Sequence, residues 1–182
     1  MNLEVSDFSK NGIIYKKYIC DNQNGGNVTP SIKWNKINNA KSYALIMEDP
    51  DTPIGTYVHW YIPFIDESIN ELNNFSNNNL QKKYNELQQK NISISNNVKV
   101  FQAKNSIGEF GYHGPCAPNG TGIHRYIFKL YAFDIKILVD KNMLTIKNAE
   151  DFIIILKKKY PKIKILATDE KIFRYEYKNY LN

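Results

Sequence analysis

No other stretch limits the fold as much as HRYIFKLYAF, His124 to Phe133. Successive side chains of a strand point to opposite faces. Tyr126, Phe128, Leu130 and Ala132 then share one face, while Arg125, Ile127, Lys129, Tyr131 and Phe133 share the other. The second face is only partly polar, so both faces pack. Ser42 to Met47, SYALIM, is nearly all apolar and reads as a strand buried on both faces. Further strands are expected at Ile13–Cys20, Ser31–Trp34, Tyr57–Ile62, Val98–Ala103, Ile163–Ala167 and Phe173–Tyr177, separated by turn residues. The chain is therefore expected to be mostly β.

One helix stands out. Asn148 is placed to cap it, Glu150 and Asp151 suit its first turn, and Phe152, Ile155 and Leu156 recur at helical spacing before Pro161. A weaker helix is expected at Leu80–Lys90. It lies within a polar, Asn-rich stretch around 72–92 that reads as a surface insertion. With 182 residues, no repeat and no linker, one domain spanning 1–182 is expected.

The formal net charge is +6, and the pI is about 9.1. The densest basic run, Lys157–Lys159, ends the helix, where lysines complement the helix dipole. Without an arginine-rich segment or zinc-finger spacing, nucleic acid is not an expected partner. No run approaches the roughly 18 apolar residues of a membrane span, and MNLEVSDFSK does not resemble a signal peptide. Cys20 and Cys116 leave one disulfide open, but two lone cysteines fit a reducing compartment better. A cytoplasmic protein is expected.

Three clusters carry candidate chemistry. EDPDTPIG, Glu48–Gly55, puts Asp49 and Asp51 after the buried strand, in a loop stiffened by Pro50 and Pro53. Read blandly, it is an Asp-Pro turn, with a cis Thr52–Pro53 bond open. His59–Trp60 lies in an apolar strand, where a satisfied core histidine is the simpler reading. GYHGPCAPNGTG, Gly111–Gly122, carries His113 and leads into His124. Its glycines permit tight turns and close backbone approach. If the strands are neighbours, Asp49, Asp51, His59 and His124 meet in one pocket. A metal site lacks any local His pair at ligand spacing. A nucleophilic elbow is absent, and a thiol site of Cys116 with His113 or His124 has no local signature. Anion binding by backbone N–H groups, histidines and a Tyr hydroxyl remains, with the carboxylates orienting the histidines.

DPDTPIG, HW and GYHGPCAPNGTGIHRYIFKLYAFD together resemble the phosphatidylethanolamine-binding protein family, which includes the Raf kinase inhibitor proteins. The pattern is most similar to the bacterial and archaeal branch. The resemblance implies a large central β-sheet packed against a smaller sheet, with peripheral α-helices. It implies a ligand pocket of Asp49, Asp51, His59, Gly114, Pro115, His124 and Tyr126, and a cis peptide at Pro53. Arg125 is expected to be structural, and His113 to add a donor. Ala117–Pro118 replaces a usual pair of prolines. The expected function is a non-enzymatic, cofactor-free, metal-free binding protein. Its pocket would take phosphate-bearing groups, such as a phospholipid head group or a phosphorylated ligand. A protein kinase or phosphorylated protein is the implied partner, and signalling the implied context. A His/Asp hydrolase and a scaffold with a vestigial pocket are the alternatives.

Overall fold

The computed structural model describes residues 1–73 and 98–182. Its strands, in chain order, are β1 (Leu3–Ser6), β2 (Ser9–Lys10), β3 (Ile13–Tyr15), β4 (Ser31–Trp34), β5 (Ser42–Asp49), β6 (Tyr57–Asp66), β7 (Glu71–Leu72), β8 (Val100–Phe101), β9 (His124–Phe133), β10 (Ile165–Tyr175) and β11 (Tyr180–Leu181). The helix α1 (Ala149–Lys159) lies between β9 and β10. The protein is mostly β, as its strand patterns require.

A five-stranded sheet in the order β10-β9-β5-β6-β8 forms the centre. All eight residues of β5 are buried because the sheet is covered on both faces. Tyr43, Leu45 and Met47 join Tyr126, Phe128, Leu130 and Ala132 in one core. The three-stranded sheets β1-β4-β7 and β11-β3-β2 supply its other side, through Leu3, Ile32, Trp34, Leu72 and Ile14. Ala44, Ile46 and Phe133 face the second core, closed by Phe152 and Leu156 of α1 and by Ile137 and Met143. Burying a large apolar side chain stabilises by about 1.5–3 kcal/mol, so both layers contribute substantially to holding the central strands.

The helix starts where its signals place it. Asn148 Oδ1 accepts from the Asp151 N–H at 2.9 Å, and the helix stops at Lys159, before Pro161. Glu48 ties this end to the sheet: it pairs with Lys129 and accepts from the Ala149 N–H at 2.8 Å.

Four sequence expectations are corrected. The strand expected at Ile13–Cys20 stops at Tyr15 and becomes a 3-10 turn over Lys16–Tyr18. That turn carries Cys20 under the Gly/Pro loop, where its N–H donates to the Pro115 carbonyl at 3.1 Å. The two late strands are one strand, β10, because it pairs with β9 along its length and leaves TDEK on a half-exposed edge. The strand at Val98–Ala103 shrinks to Val100–Phe101, paired with Ile65 and Phe64. Leu72 is core rather than insertion: it is fully buried and pairs with Ile32. The expected helix at 80–90 and most of the 72–92 stretch lie outside the described residues.

Candidate functional site

β5 is antiparallel to both of its neighbours, so its last residues lie beside the first residues of β6 and β9. This gathers Asp49, Tyr57, His59, His124 and Tyr126 at one end of the central sheet. Asp49 pairs with Tyr57 in register, and Glu48 pairs with both Val58 and Ile127. His59 owes its direction to a bulge. Met47 opposes Trp60 while Glu48 opposes Val58, so His59 is the extra residue between them. Bulges re-aim side chains in this way. His59 thereby packs its ring edge-on to Tyr126, with centroids 5.0 Å apart.

These residues form part of a cleft of about 390 Å³, lined by Asp49, Tyr57, His59, Cys116 and the histidines 113 and 124. The buried pair at its base is His124 and Asp49, with Nδ1 and Oδ2 2.6 Å apart. Asp49 Oδ1 accepts from the Asp51 N–H at 2.8 Å, so both carboxylate oxygens are engaged. Burial raises the Asp49 carboxyl above its ordinary value, against the pull of His124. On the far side of the His124 ring, Thr121 Oγ1 lies 2.8 Å from Nε2 and 2.8 Å from the Pro118 carbonyl.

The second pair of imidazoles is held differently. His59 Nδ1 lies 2.8 Å from the His113 carbonyl, and the His113 N–H donates to the His59 carbonyl at 2.8 Å. The two rings stack with centroids 5.8 Å apart. Burial drives the His59 ring down to about 3, opposed by the His113 and Gly114 carbonyls. Burial lowers His113 as well.

Asp49, His59, His113 and His124 therefore reach the cleft wall. The other expected residues support it from behind. Asp51 is taken by Arg125, whose backbone N–H, Nε and Nη2 all donate to its carboxylate within 2.8 Å. Arg125 is thus the strut it was expected to be. The Gly114 N–H donates to Asn27 Oδ1 at 2.7 Å, and a Cβ there would lie 2.3 Å from the Tyr18 carbonyl oxygen. Its lack of a side chain admits the N-terminal segment, not a ligand. The Pro115 carbonyl accepts from Cys20, and Tyr126 Oη accepts from the Cys116 N–H at 3.3 Å. Burial, and then the Asp49 charge, push the Tyr126 phenol well above its ordinary value.

Two expectations fail here. The Thr52–Pro53 bond is trans, since no described peptide is cis. Cys20 and Cys116 are disulfide-bonded, with Cα atoms 5.5 Å apart. The hydrogen bonds that lace the 3-10 turn to the Gly/Pro loop bring them together, and spacing alone could not show it. Thr121 and Tyr57 were missed. Thr121 carries a hydroxyl three residues before His124, between Gly120 and Gly122, which is a usable signal in retrospect. Among the described residues, no group of three or more His, Cys, Asp or Glu is placed to hold a metal.

Compared with known protein families, residues 4–158 match phosphatidylethanolamine-binding protein. The chain belongs to the phosphatidylethanolamine-binding protein family. Its relatives include a UPF0098 protein of Pyrococcus horikoshii, 34% identical over 139 residues, covering 74% of this chain and 61% of the relative. Another, from Aquifex aeolicus, is 36% identical over 132 residues, covering 71% of this chain and 66% of the relative. The chain thus spans under two thirds of the length of these two relatives. Among solved structures, a putative family homologue from Chlamydia trachomatis superposes with a TM-score of 0.64 at 27% identity, covering 96% of this chain and 95% of that one. Escherichia coli YbcL superposes with a TM-score of 0.68 at 22% identity, covering 96% and 97%, and shares the fold. No helix among the described residues is long and apolar enough to cross a membrane.

Proposed function

We propose that this member of the family is a non-enzymatic binding protein whose cleft takes a phosphate-bearing group, as a phospholipid head group or a phosphorylated ligand. The observation that carries the reading is His124, a buried residue of the cleft wall held at Nδ1 by Asp49. A carboxylate fixed to one ring nitrogen orients the other. That nitrogen, 2.8 Å from Thr121 Oγ1, suits a phosphate oxygen that takes the place of the hydroxyl. Modulation of a kinase or of a phosphorylated protein is part of the proposal, carried by family membership alone. Phosphate titration followed by NMR tests it: saturable shifts around the cleft are expected, lost in His124→Ala. Unchanged binding by His124→Ala removes the site, and a flat titration favours the vestigial scaffold.

A second reading is hydrolysis, because Thr121 Oγ1, His124 and Asp49 form one hydrogen-bonded line. Such a line can activate a hydroxyl. Generic ester substrates separate the two, since turnover that disappears in Thr121→Val supports the hydrolase.

The proposal does not retain a cytoplasmic location. Part of its support was a pair of lone cysteines, and a disulfide fits an oxidising compartment better. One relative, 32% identical over 107 residues, is named a putative lipoprotein of Mycobacterium tuberculosis.

A further inference from the structure

We infer that the cleft selects a phosphate group carrying one proton, a monoester monoanion, whose P–OH donates to His59 Nε2 while a P–O accepts from the Nε2–H of His113. The inference rests on the proposed phosphate reading and names the ligand class within it.

The tautomer of each ring follows from its surroundings. A carbonyl oxygen only accepts, so His59 Nδ1, 2.8 Å from the His113 carbonyl, carries the proton. The buried ring stays neutral across the physiological range. Its Nε2 is then a lone pair that can only accept. His113 has the opposite polarity. Its Nδ1 is buried without a partner among the described residues. An orphaned buried N–H is rarer and costlier than an orphaned acceptor. The proton therefore sits on Nε2, and the ring donates. Both rings line the cleft, 5.8 Å apart and within 22° of parallel. Two oxygens of one tetrahedral phosphate, each about 2.8 Å from a ring nitrogen, can bridge that separation.

The groups around the pair do not supply a charge to replace this logic. Tyr57 lies against both rings, at 4.6 and 6.1 Å, and burial raises its phenol. Tyr126 lies behind His59. The charges of Asp21 and Glu109 act on His113 but are outweighed by burial. Asp49 is committed to His124 and the Asp51 N–H, and Asp51 to Arg125. His124 has the smallest of the named effects on His59, and its Nε2 is left for Thr121 or a further phosphate oxygen. An anion without a proton would therefore set an oxygen lone pair against the lone pair of His59. Phosphodiesters and sulfate are such anions.

The test compares methyl phosphate, dimethyl phosphate and sulfate, titrated into the intact chain and followed by NMR at pH 5.5 and 7.5. Methyl phosphate at pH 5.5 is expected to bind at least tenfold more tightly than dimethyl phosphate of the same charge, and than sulfate. A monoester loses its second proton near pH 6, so its affinity should fall about twentyfold by pH 7.5 while that of dimethyl phosphate stays flat. His113→Phe, which keeps the ring stack, should remove the preference for methyl phosphate. If all three anions bind alike and weaken in parallel with pH, the site is a cationic imidazole. The inference then falls while the phosphate reading stands. If none binds saturably, both fall.

Discussion

His124 and Asp49 meet at 2.6 Å with both side chains sealed from solvent, although 75 residues separate them in the chain. Both carboxylate oxygens are engaged, one by the ring and one by the Asp51 N–H, so the group is placed to orient His124. Simple electrostatics predicts that removing a negative charge strengthens anion binding. An orienting role predicts the reverse. Asp49→Asn is expected to weaken methyl phosphate binding about tenfold, measured by NMR titration at constant pH. Tighter binding by a well-folded variant would exclude the orienting role.

The neutral His59 makes stability depend on pH. Its folded value of about 3 lies below the ordinary 6.5, so between these the unfolded chain binds the extra proton. This contribution is complete above pH 6.5 and declines as pH falls toward 3. Its ceiling is roughly 5 kcal/mol, at about 1.4 kcal/mol per pH unit. Urea midpoints from pH 7 to 4 should fall steeply in the wild type, and less steeply in His59→Gln.

The disulfide spans 96 residues. Closing a loop of about that length restricts the unfolded chain enough to stabilise by roughly 2–4 kcal/mol. Reduction with a phosphine should lower the midpoint of thermal unfolding by several degrees, and Cys20→Ala/Cys116→Ala should match the reduced protein. Thiol counting under denaturing, non-reducing conditions should find no free cysteine.

Glu48 is a buried carboxylate joining the sheet to α1 through Lys129 and the Ala149 N–H. Removing one partner leaves the other polar groups unanswered, at a cost of about 3–5 kcal/mol. Glu48→Ala should show that loss in chemical denaturation, with hydrogen exchange rising first in the opening turn of α1.

Trp34 is 2% exposed, packs on Tyr43 with ring centroids 5.4 Å apart, and buries Nε1 without a partner among the described residues. Its value is therefore apolar. Trp34→Ala should cost about 3 kcal/mol or more, whereas Trp34→Phe should recover most of that. Near-unchanged stability of Trp34→Ala would show that the small sheet does not anchor the core through this residue.

The sequence by itself determined β5, β9 and α1. Alternation, helical spacing and end signals act over a few residues, where covalent geometry and burial leave little choice. It also carried the family's motif residues, and hence Asp49, His59 and His124 as candidates. Tertiary structure decided where those residues point and what holds them. A one-residue bulge opposite Met47 and Glu48 aims His59 at the cleft, and alternation along β6 does not reveal it. Arg125 removes Asp51 from the site because β9 begins beside the Asp-Pro loop. Cys20 and Cys116 bond because a 3-10 turn, where a strand was expected, slides under the Gly/Pro loop. Each outcome depends on register between segments far apart in the chain. Register is fixed only when the whole sheet closes and every buried polar group must find its partner.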